Sequence, residues 1–506
     1  MATLAEVLAF AAAFAAGHLI AAFIHVNASP YLAVGNSVID LAPRPLREFA
    51  VRTFGVYDKI VLLAGMAVAS VVLAVLAGLL SRRSALPGTL IIVLLGTVAT
   101  AAVLTRPDLP TVAVLAPLAS LLVGVAVFRL LYRLGTCRAV SPGETGQSRP
   151  GLGRRGFLIG TSVIAVGAGA AGLGGELLAR RAGAASSRAK IGPLISASPA
   201  PEIPSGADFA RVGTPTFITP NPDFYRVDTA LVVPQVRAED WSLRIHGMVD
   251  REMRLSFADI RDRRLVERTI TMTCVSNEVG GPYISTANFL GVDLRDLLTE
   301  VGVRPGAEQL FSTSVDGYTA GTSMTAVMDP GRGAMLAIGM NGEPLPLEHG
   351  FPARMVVPGL YGYVSATKWV TDLEVTTWAA RRSYWLQRGW AREAPIKTQS
   401  RIDAPKGFQT LPAGRVTIAG VAWAQTTGIE KVEVRLGAGP WQEATLSTEV
   451  NEDTWRMWRI DLELPPGNHQ VACRATDKSG YTQTQRRAGT VPDGATGWHT
   501  ISFTTR

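Results

Sequence analysis

Five stretches of 20 to 22 residues without Asp, Glu, Lys or Arg stand out in the first 180 residues. An α-helix rises about 1.5 Å per residue, so about 20 residues cross a hydrocarbon core of about 30 Å. A helix in a soluble core would show a polar face at 3.6-residue spacing, and these stretches show none. The sequence therefore predicts five transmembrane helices, at residues 7–26, 60–81, 84–105, 109–128 and 156–175.

Composition agrees with a chain that is partly embedded in lipid. Hydrophobic residues make up 47% of the 506 positions and charged residues only 18%, which excludes a disordered or collagen-like protein. The three cysteines, Cys137, Cys274 and Cys473, are too few and too scattered for a disulfide scaffold or a CxxC metal or redox site.

The net charge of +8 is unevenly distributed. Residues 1–190 carry a net charge of +10, and the remaining 316 residues carry −2. The basic excess therefore flanks the apolar segments, whereas a nucleic-acid-binding protein would carry it on its globular part. No nucleic-acid partner is expected.

A short motif before the fifth predicted span sets the orientation. Gly-Arg154-Arg155-Gly-Phe-Leu resembles the twin-arginine export signal, although Gly153 stands where Ser or Thr is usual. The alternative is an ordinary anchor that obeys the positive-inside rule. Both interpretations place Arg154 inside and the chain after about residue 176 outside, so the prediction is a multi-pass protein of the cytoplasmic membrane.

Two histidines lie on the first predicted span. His18 and His25 are seven residues apart, and therefore on one face of a helix. A haem ligated on both sides needs histidines from opposing directions, which this spacing cannot supply. Helix capping or hydrogen bonding between helices is the favoured role.

The chain changes character after residue 178. Residues 179–206 contain an Ala-, Ser-, Gly- and Pro-rich stretch that predicts a flexible tether. Residues 207–395 mix strand and helix patterns and predict an α+β domain. Within them, 241–248 and 268–274 alternate like strands, whereas 257–262 and 290–303 are typical of helices.

Two segments of this middle domain carry candidate chemistry. Cys274 ends a predicted strand and opens a loop that contains Gly280-Gly281-Pro282, where a bulky ligand can approach the backbone closely. Farther on, His349, Arg354 and Lys368 place three potentially cationic donors within 20 residues, a cluster that suits a phosphate or another anion.

Five motifs occur in a fixed order across this domain: TMTCVSNEVGG, GVDLRDLL, DGYTAG, MNGEPLPLEHGFPARMVVPGLYG and TKWV. Together they resemble the molybdopterin-binding domain of the sulfite oxidase family over roughly residues 210–380. The resemblance implies an α+β fold around one pyranopterin. In that family the pyranopterin dithiolene supplies two sulfurs to molybdenum, a protein cysteine supplies a third, and oxo or hydroxo groups complete the site.

The resemblance also implies roles for individual residues. Cys274 is the molybdenum ligand, since a deprotonated thiolate suits a thiophilic metal; the alternative is an inert buried cysteine. Arg354 and Lys368 hold the terminal phosphate of the pterin, the alternative being surface ion pairs. The remaining residues expected to contact the cofactor are Tyr225, Arg226, His349, Ala366 and Thr367.

Two departures from the family bear on the substrate. Sulfite oxidases place arginines shortly after the metal cysteine and a tyrosine before the Met-Asn-Gly turn, whereas this chain has Glu278 and Ile338 there. A carboxylate would repel sulfite, so oxygen-atom transfer to or from a sulfur oxide or sulfoxide is expected. The alternatives are a sulfite dehydrogenase and a non-catalytic, membrane-tethered interaction protein that retains a relic molybdopterin domain.

Residues 396–506 contain short alternating segments separated by turn residues, which predict an immunoglobulin-like β-sandwich. GVAWAQTTGIEKVEV, RATDKSGYTQ and GWHT resemble the dimerisation domain of the sulfite oxidase family, which implies a possible homodimer. The chain has no CxxCH haem motif. Electrons are therefore expected to pass to or from a separate carrier, a cytochrome or a quinone-linked membrane subunit.

The sequence thus predicts a multi-domain protein. A transmembrane domain occupies residues 1–178 and a linker residues 179–206. A molybdopterin domain follows at 207–395, and an immunoglobulin-like sandwich at 396–506.

Overall fold

The computed structural model describes residues 1–43, 46, 49–50, 53–54, 57–106, 109–136, 154–181 and 183–506. They form two compact units, which are considered separately. The first comprises Met1–Gly183 with Thr229–Val233, and the second Ala184–Asp228 with Pro234–Arg506.

The first unit is built of apolar helices that approach each other closely through small residues. Gly78 lies so near the backbone of Thr3 that a side chain would not fit, and Gly17 lies against Pro30 in the same way. Small residues at such positions are typical of helix packing in membranes. The helices are α1 (Ala2–Ile24), α2 (Pro30–Leu41), α3 (Asp58–Leu80), α4 (Leu86–Leu104), α5 (Leu115–Thr136) and α6 (Arg154–Arg181).

Four of the five predicted spans correspond to helices long and apolar enough to cross a membrane: Ala2–Ile24, Asp58–Leu80, Leu86–Leu104 and Thr111–Gly135. They are compatible with membrane anchoring. The fifth, at 156–175, lies within α6, whose apolar stretch Leu158–Leu173 is shorter, so that span stays a prediction. Gly153 of the twin-arginine-like motif and Cys137 lie outside the described residues.

The predicted tether at 179–206 is wrong for residues from Ala184 onwards. Ala184–Ile191 forms a helix, α7, in the second unit, and the Arg188 guanidinium donates to the Pro344 carbonyl (2.7 Å) and pairs with Glu343 (2.8 Å). Ser198 then bridges to Val266. The composition of this stretch suggested a flexible chain, but in the structure its small residues allow it to pack closely against the rest of the second unit.

The middle domain contains two sheets around one apolar core. The first sheet has the order β2-β1-β10-β5-β6, in which only β1 and β10 are parallel, and the second has the antiparallel order β3-β4-β7-β8 with β9 also paired to β7. The strands are β1 (Ser242–Gly247), β2 (Met253–Ser256), β3 (Val266–Thr273), β4 (Ile284–Asp293), β5 (Gln309–Ser314), β6 (Thr319–Ser323), β7 (Met335–Met340), β8 (Glu343–Pro344), β9 (Arg354–Val356) and β10 (Val370–Thr376).

Short helices connect these strands. The helix predicted over 290–303 begins only at Leu294, because residues up to Asp293 pair with β7 as part of β4. The Asp293 carboxylate caps this helix by accepting from the Arg295 amide (3.0 Å). The helices are α8 (Phe257–Arg261), α9 (Leu294–Val301), α10 (Met324–Met328) and α11 (Gly362–Ser365).

The C-terminal domain consists of two sheets that share a second core. Their orders are β11-β13-β17-β16 and β12-β19-β18-β14-β15. The two-sheet arrangement agrees with the alternating pattern of the sequence, while the immunoglobulin-like assignment stays a prediction. The strands are β11 (Gln399–Ala404), β12 (Thr410–Leu411), β13 (Gly414–Trp423), β14 (Ile429–Leu436), β15 (Trp441–Glu443), β16 (Thr445–Leu446), β17 (Arg456–Leu464), β18 (Gly467–Asp477) and β19 (His499–Thr505).

Strand β3 lies at the edge of its sheet, and the C-terminal domain covers that edge. The Thr271 amide donates to the Asp453 carbonyl (2.9 Å), and the Gln425 side chain donates to the Thr271 carbonyl (3.1 Å). The Trp455 amide donates to the Thr271 hydroxyl (2.7 Å). The threonine face of β3 therefore meets protein, and this fixes the strand that leads to Cys274.

Candidate active site

Cys274 follows β3 directly and is almost fully buried, with 9% of its surface exposed. Its amide donates to the Tyr283 carbonyl (3.0 Å), which closes the loop 275–283 at its base. The Ser276 amide points at the Cys274 Sγ (3.4 Å). Burial raises the pKa of the thiol. A bound cation would therefore be needed to stabilise the thiolate in this position.

The loop after Cys274 is held from both sides. The Asn277 side chain accepts from the Tyr283 amide (2.8 Å) within the loop. From β11, the Arg401 guanidinium donates to the Gly281 carbonyl (2.8 Å), and the His499 ring packs against Gly280, where a side chain would not fit. Gly280 thus permits close packing of the loop by the C-terminal domain, whereas a Cβ at Gly281 would meet Asn277 and Glu278 of the loop itself.

The three residues predicted as cationic donors, His349, Arg354 and Lys368, differ in their hydrogen-bond and ion-pair partners. Arg354 is 4% exposed and donates only to carbonyl oxygens, at 3.2 Å from His349 and 3.5 Å from Ala366. No carboxylate pairs with it among the described residues, and burial lowers its pKa to about 10. A buried guanidinium held in this way is suited to an anionic ligand.

Lys368 is paired. Its ammonium donates to the Asp228 carboxylate (2.8 Å) and to the Glu348 carbonyl (3.1 Å). Burial lowers its pKa to about 8, with Asp228 opposing the shift. Gly350, at φ +108°, lies between the two cations: a Cβ there would be 3.0 Å from the Lys368 Cβ and 3.1 Å from the Arg354 Cβ.

His349 is buried against Phe224, with ring centroids 5.4 Å apart. Its Nε2 lies 3.1 Å from the Asn221 carbonyl, which requires the proton on that nitrogen. Burial lowers the pKa of His349 to about 4, so the ring is neutral at pH 7. The structure therefore corrects its interpretation as a third cation.

Tyr225 approaches from the upstream segment. Its amide donates to the Ser285 hydroxyl (3.1 Å), and a Cβ at Gly362 would lie 3.8 Å from its hydroxyl. Burial raises the pKa of Tyr225, the nearby Cys274 adds to the shift, and Arg354 opposes it. The Tyr225 hydroxyl has no hydrogen-bond partner within the part of the chain that the structure describes. Tyr225 therefore lies near both Cys274 and Arg354.

The other predicted contacts are less direct. Arg226 is largely exposed and pairs with Asp228 (3.1 Å). The Thr367 hydroxyl is 2.7 Å from the Ser312 hydroxyl, so Thr367 offers mainly its backbone. The Ala366 carbonyl accepts from Arg354.

Sequence reasoning missed two residues. Asp228, which pairs with Lys368, stands two residues after Arg226, and its charge could have signalled it. Arg401 gave no signal, since 120 residues separate it from Gly281. Of the two departures from the family, Glu278 is exposed and Ile338 is completely buried in β7.

Comparisons with known proteins agree with this geometry. Residues 230–385 match the family described as "Oxidoreductase molybdopterin binding domain". The mitochondrial sulfite oxidase of Macaca fascicularis is 30% identical over 321 residues, covering 53% of this chain and 57% of that protein. The chain carries a molybdopterin-binding domain of the sulfite oxidase family. The predicted family, its class as an oxidoreductase and its molybdenum–molybdopterin cofactor are thereby confirmed.

Two further similarities widen the comparison. The inducible NADH nitrate reductase 2 of Glycine max is 28% identical over 333 residues, covering 53% of this chain and 37% of that protein. The sulfane dehydrogenase SoxCD from Paracoccus pantotrophus matches with a TM-score of 0.50 and 25% identity, over 56% of this chain and 80% of that one. The chain thus covers 57% of that sulfite oxidase and 37% of that nitrate reductase, which is less than two thirds of the length of either curated relative.

The molybdopterin domain has residues that fit its cofactor. In the part of the chain that the structure describes, Tyr225 has no partner for its hydroxyl and lies near both the buried Cys274 thiol and the Arg354 guanidinium, which has no carboxylate partner. A thiol and a guanidinium of this kind match a thiophilic metal and a phosphate-bearing pterin. Among the described residues, no group of three His, Cys, Asp or Glu side chains could hold a metal ion.

Proposed function

We propose that the protein is a membrane-anchored molybdenum oxidoreductase that acts outside the cytoplasmic membrane on a sulfur oxide or sulfoxide. The single observation that carries the proposal is the placement of Cys274. It is a buried thiol at a strand end, and Tyr225, whose hydroxyl has no hydrogen-bond partner among the described residues, lies near both this thiol and Arg354. The four apolar helices support the anchor, and the twin-arginine-like motif supports export of a folded, loaded domain.

In this proposal, Cys274 binds the metal and Arg354 binds the pterin phosphate. Lys368, paired with Asp228, supplies a second cation, and Tyr225 donates its hydroxyl to the cofactor. The neutral ring of His349 supports the Asn221 backbone, while Ala366 and Thr367 line the pocket through their main chain and Arg226 covers it from the surface. The cofactor, when bound, supplies two-electron oxygen-atom transfer.

The residues of the chain prepare this chemistry by excluding water from the site and by holding the Cys274 thiol in place. The loop 275–283 is clamped by Arg401, so the thiol is fixed and water has little access to it. Glu278 is exposed in the loop that follows Cys274, and a carboxylate in this loop would disfavour an anion such as sulfite. A neutral sulfoxide is the substrate class that this charge pattern favours.

Metal and pterin analysis of the purified full chain tests the proposal. We expect about one molybdenum and one pterin per chain after expression with an intact cofactor pathway. Absence of both would favour the non-catalytic interaction protein.

Activity assays then separate the substrates. Reduction of sulfoxides, including protein methionine sulfoxide, with a reduced dye is expected to exceed oxidation of sulfite with an oxidised acceptor. The opposite ranking would make the protein a sulfite dehydrogenase, as the names of its curated relatives suggest. A separate electron carrier, a cytochrome or a quinone-linked subunit, and a homodimer formed through the C-terminal domain complete the proposal.

A further inference from the structure

The helical unit contains a cavity of about 680 Å³ that the proposed function does not use. This volume lies within the range of about 300–1,000 Å³ that is usual for small-molecule sites. Its walls come mainly from α1, the start of α2 and α3. Ala11, Ala67 and Val71 of the lining are exposed, so the cavity opens to the outer surface of the helices.

Most of the lining is apolar, but two polar groups in it lack partners. The His18 imidazole lies in the cavity wall and forms no hydrogen bond within the described part of the chain. Ser29 is 3% exposed, and its hydroxyl likewise has no partner there. Ionisable side chains are costly inside an apolar span, and those that persist usually serve a ligand or a pathway.

Two other lining groups and an aromatic pair complete the wall. The Tyr31 hydroxyl donates to the Leu63 carbonyl and the Ser70 hydroxyl to the Met66 carbonyl (2.8 Å), so both leave only lone pairs toward the cavity. The Phe14 and Tyr31 rings meet edge to face with centroids 5.8 Å apart. A flat ring with oxygen atoms at its rim would match this surface.

We propose that this cavity binds the head ring of a membrane quinone. Its carbonyl oxygens would accept from His18 and Ser29, its ring would pack against Phe14 and Tyr31, and it would enter through the opening beside Ala67. A lipid acyl chain would leave the two polar groups unsatisfied. His18 and His25, the two histidines that precede residue 246, lie on one helix and its end, a spacing that does not suit a haem ligated on both sides.

The inference rests on the proposed function for its redox role. A quinol releases two electrons and two protons as it becomes the quinone. Reduction of a sulfoxide consumes two electrons and two protons and yields the sulfide and water, so the two half-reactions balance. Because the chain has no CxxCH motif for attaching a haem, a separate electron carrier is expected, and a lipid-soluble quinone would serve as that carrier.

Photolabelling of the full chain in quinone-free nanodiscs tests the site. The probe is a short-chain benzoquinone that carries a photoreactive azide. Labelled peptides should come from α1 and α3, and an unlabelled benzoquinone or naphthoquinone should compete. Labelling spread over all helices, or competition by phospholipid alone, would overturn the proposal and leave a lipid-filled groove.

Matched variants sharpen the test. His18→Leu should weaken quinone binding about tenfold or more, whereas His25→Leu, seven residues along the same helix, should leave it within about twofold. Ala15→Phe should block the cavity, and Ala69→Phe, on an exposed position of α3 outside the lining, should not. Equal effects of both members of either pair would contradict the site.

Measurements on Cys274→Ser separate this inference from the proposed function. The variant lacks the molybdenum ligand but should bind the probe as the wild type does. Quinone binding without any molybdenum activity in the wild type would reject only the proposed function. Dye-driven activity without quinone binding would reject only the cavity as a quinone site.

Discussion

At the scale of single residues, the site depends on groups whose buried state is unfavourable without a ligand. Burial raises the pKa of the Cys274 thiol and lowers that of the Arg354 guanidinium, so each is biased toward its neutral form. A metal cation at the sulfur would stabilise the thiolate, and a phosphate would stabilise the buried guanidinium. The pattern therefore points to joint occupancy by one molecule that offers both.

Replacing Cys274 by Ser should remove molybdenum from the purified protein while the chain stays folded, because an alcohol is a poor ligand for a thiophilic metal. Elemental analysis and circular dichroism measure the two effects. Cys473→Ser is the control, since Cys473 is also fully buried but lies in the C-terminal core. Wild-type molybdenum content in Cys274→Ser would remove the assigned ligand.

Arg354→Ala should lower pterin retention, since a charge-assisted hydrogen bond worth about 1.5–3 kcal/mol is lost. This corresponds to a decrease in affinity of about ten- to a hundredfold. Pterin released from the protein after gel filtration gives the measurement. Arg226→Ala, at an exposed position beside the same site, should retain most of the cofactor. Full retention in Arg354→Ala would show that the phosphate is held elsewhere.

The sequence could predict that Cys274 follows a strand and that Arg354 and Lys368 lie close together, because short segments of backbone set both features. The roles of these residues and of Tyr225 at the cofactor come from the family resemblance and stay predictions. The neutral state of His349 was not predictable, since burial by Phe224 is a tertiary effect. Arg401 was missed for the same reason.

At the scale of elements, Gly350 shows how a turn brings two cations together. Gly350→Ala should lower cofactor content several-fold, because a Cβ would press on both Arg354 and Lys368 and the φ of +108° disfavours any side chain. Gly389→Ala, at φ +85° with no atom within 4 Å of the added Cβ, is the matched control. It should cost only about 1 kcal/mol of stability. Equal pterin loss in both variants would show that the loss results from a general decrease in stability and not from the position of Gly350.

Element boundaries were less predictable than element types. The apolar spacing over 290–303 fits a helix, yet its first residues pair with β7, because strand partners from distant parts of the chain outweigh local periodicity. Likewise, the small residues from Ala184 onward looked like a tether but lie against the second unit through Arg188. Neither partner could be read from the local pattern.

At the scale of the whole molecule, acid should destabilise the second unit partly through His499. Burial, with Arg401 and Arg487 nearby, lowers the pKa of this histidine to about 4, and its Nδ1 accepts from the Ile402 amide (2.9 Å). Between about pH 6.5 and 4 the unfolded chain takes up a proton that the folded chain does not. The contribution of His499 to the free energy of unfolding should therefore be largest above about pH 6.5 and should decrease as the pH falls toward 4.

Urea unfolding of the full chain in detergent, at pH 7 and pH 5, measures this loss. All ten tryptophans lie between Trp241 and Trp498, so their fluorescence reports on the second unit alone. His499→Asn keeps a hydrogen-bond acceptor but does not titrate, and it should reduce the loss between pH 7 and pH 5 by up to about 2 kcal/mol. The pKa of His349 is also lowered by burial, but His349 is present in both the wild type and the His499→Asn variant, so its contribution cancels in the comparison. An unchanged pH dependence would contradict the assignment.

Export of the second unit is the remaining whole-molecule prediction. Changing Arg154 and Arg155 together to Lys should leave the C-terminal half inside the cell if a twin-arginine route carries it. Protease added outside intact cells gives the readout. The pair Arg180 and Arg181, changed to Lys in the same way at the other end of α6, should have no effect. Unaltered protease access in the first variant would favour simple membrane insertion.

The covering of β3 by residues 425–455 has a consequence for any shortened version of this protein. A chain cut at residue 395 would expose the amide and carbonyl of Thr271, which Asp453 and Gln425 now satisfy. An uncovered strand edge invites pairing with neighbouring copies and aggregation. We therefore expect the molybdopterin domain to need the C-terminal sheets for its stability, because they cover the strand that leads to Cys274.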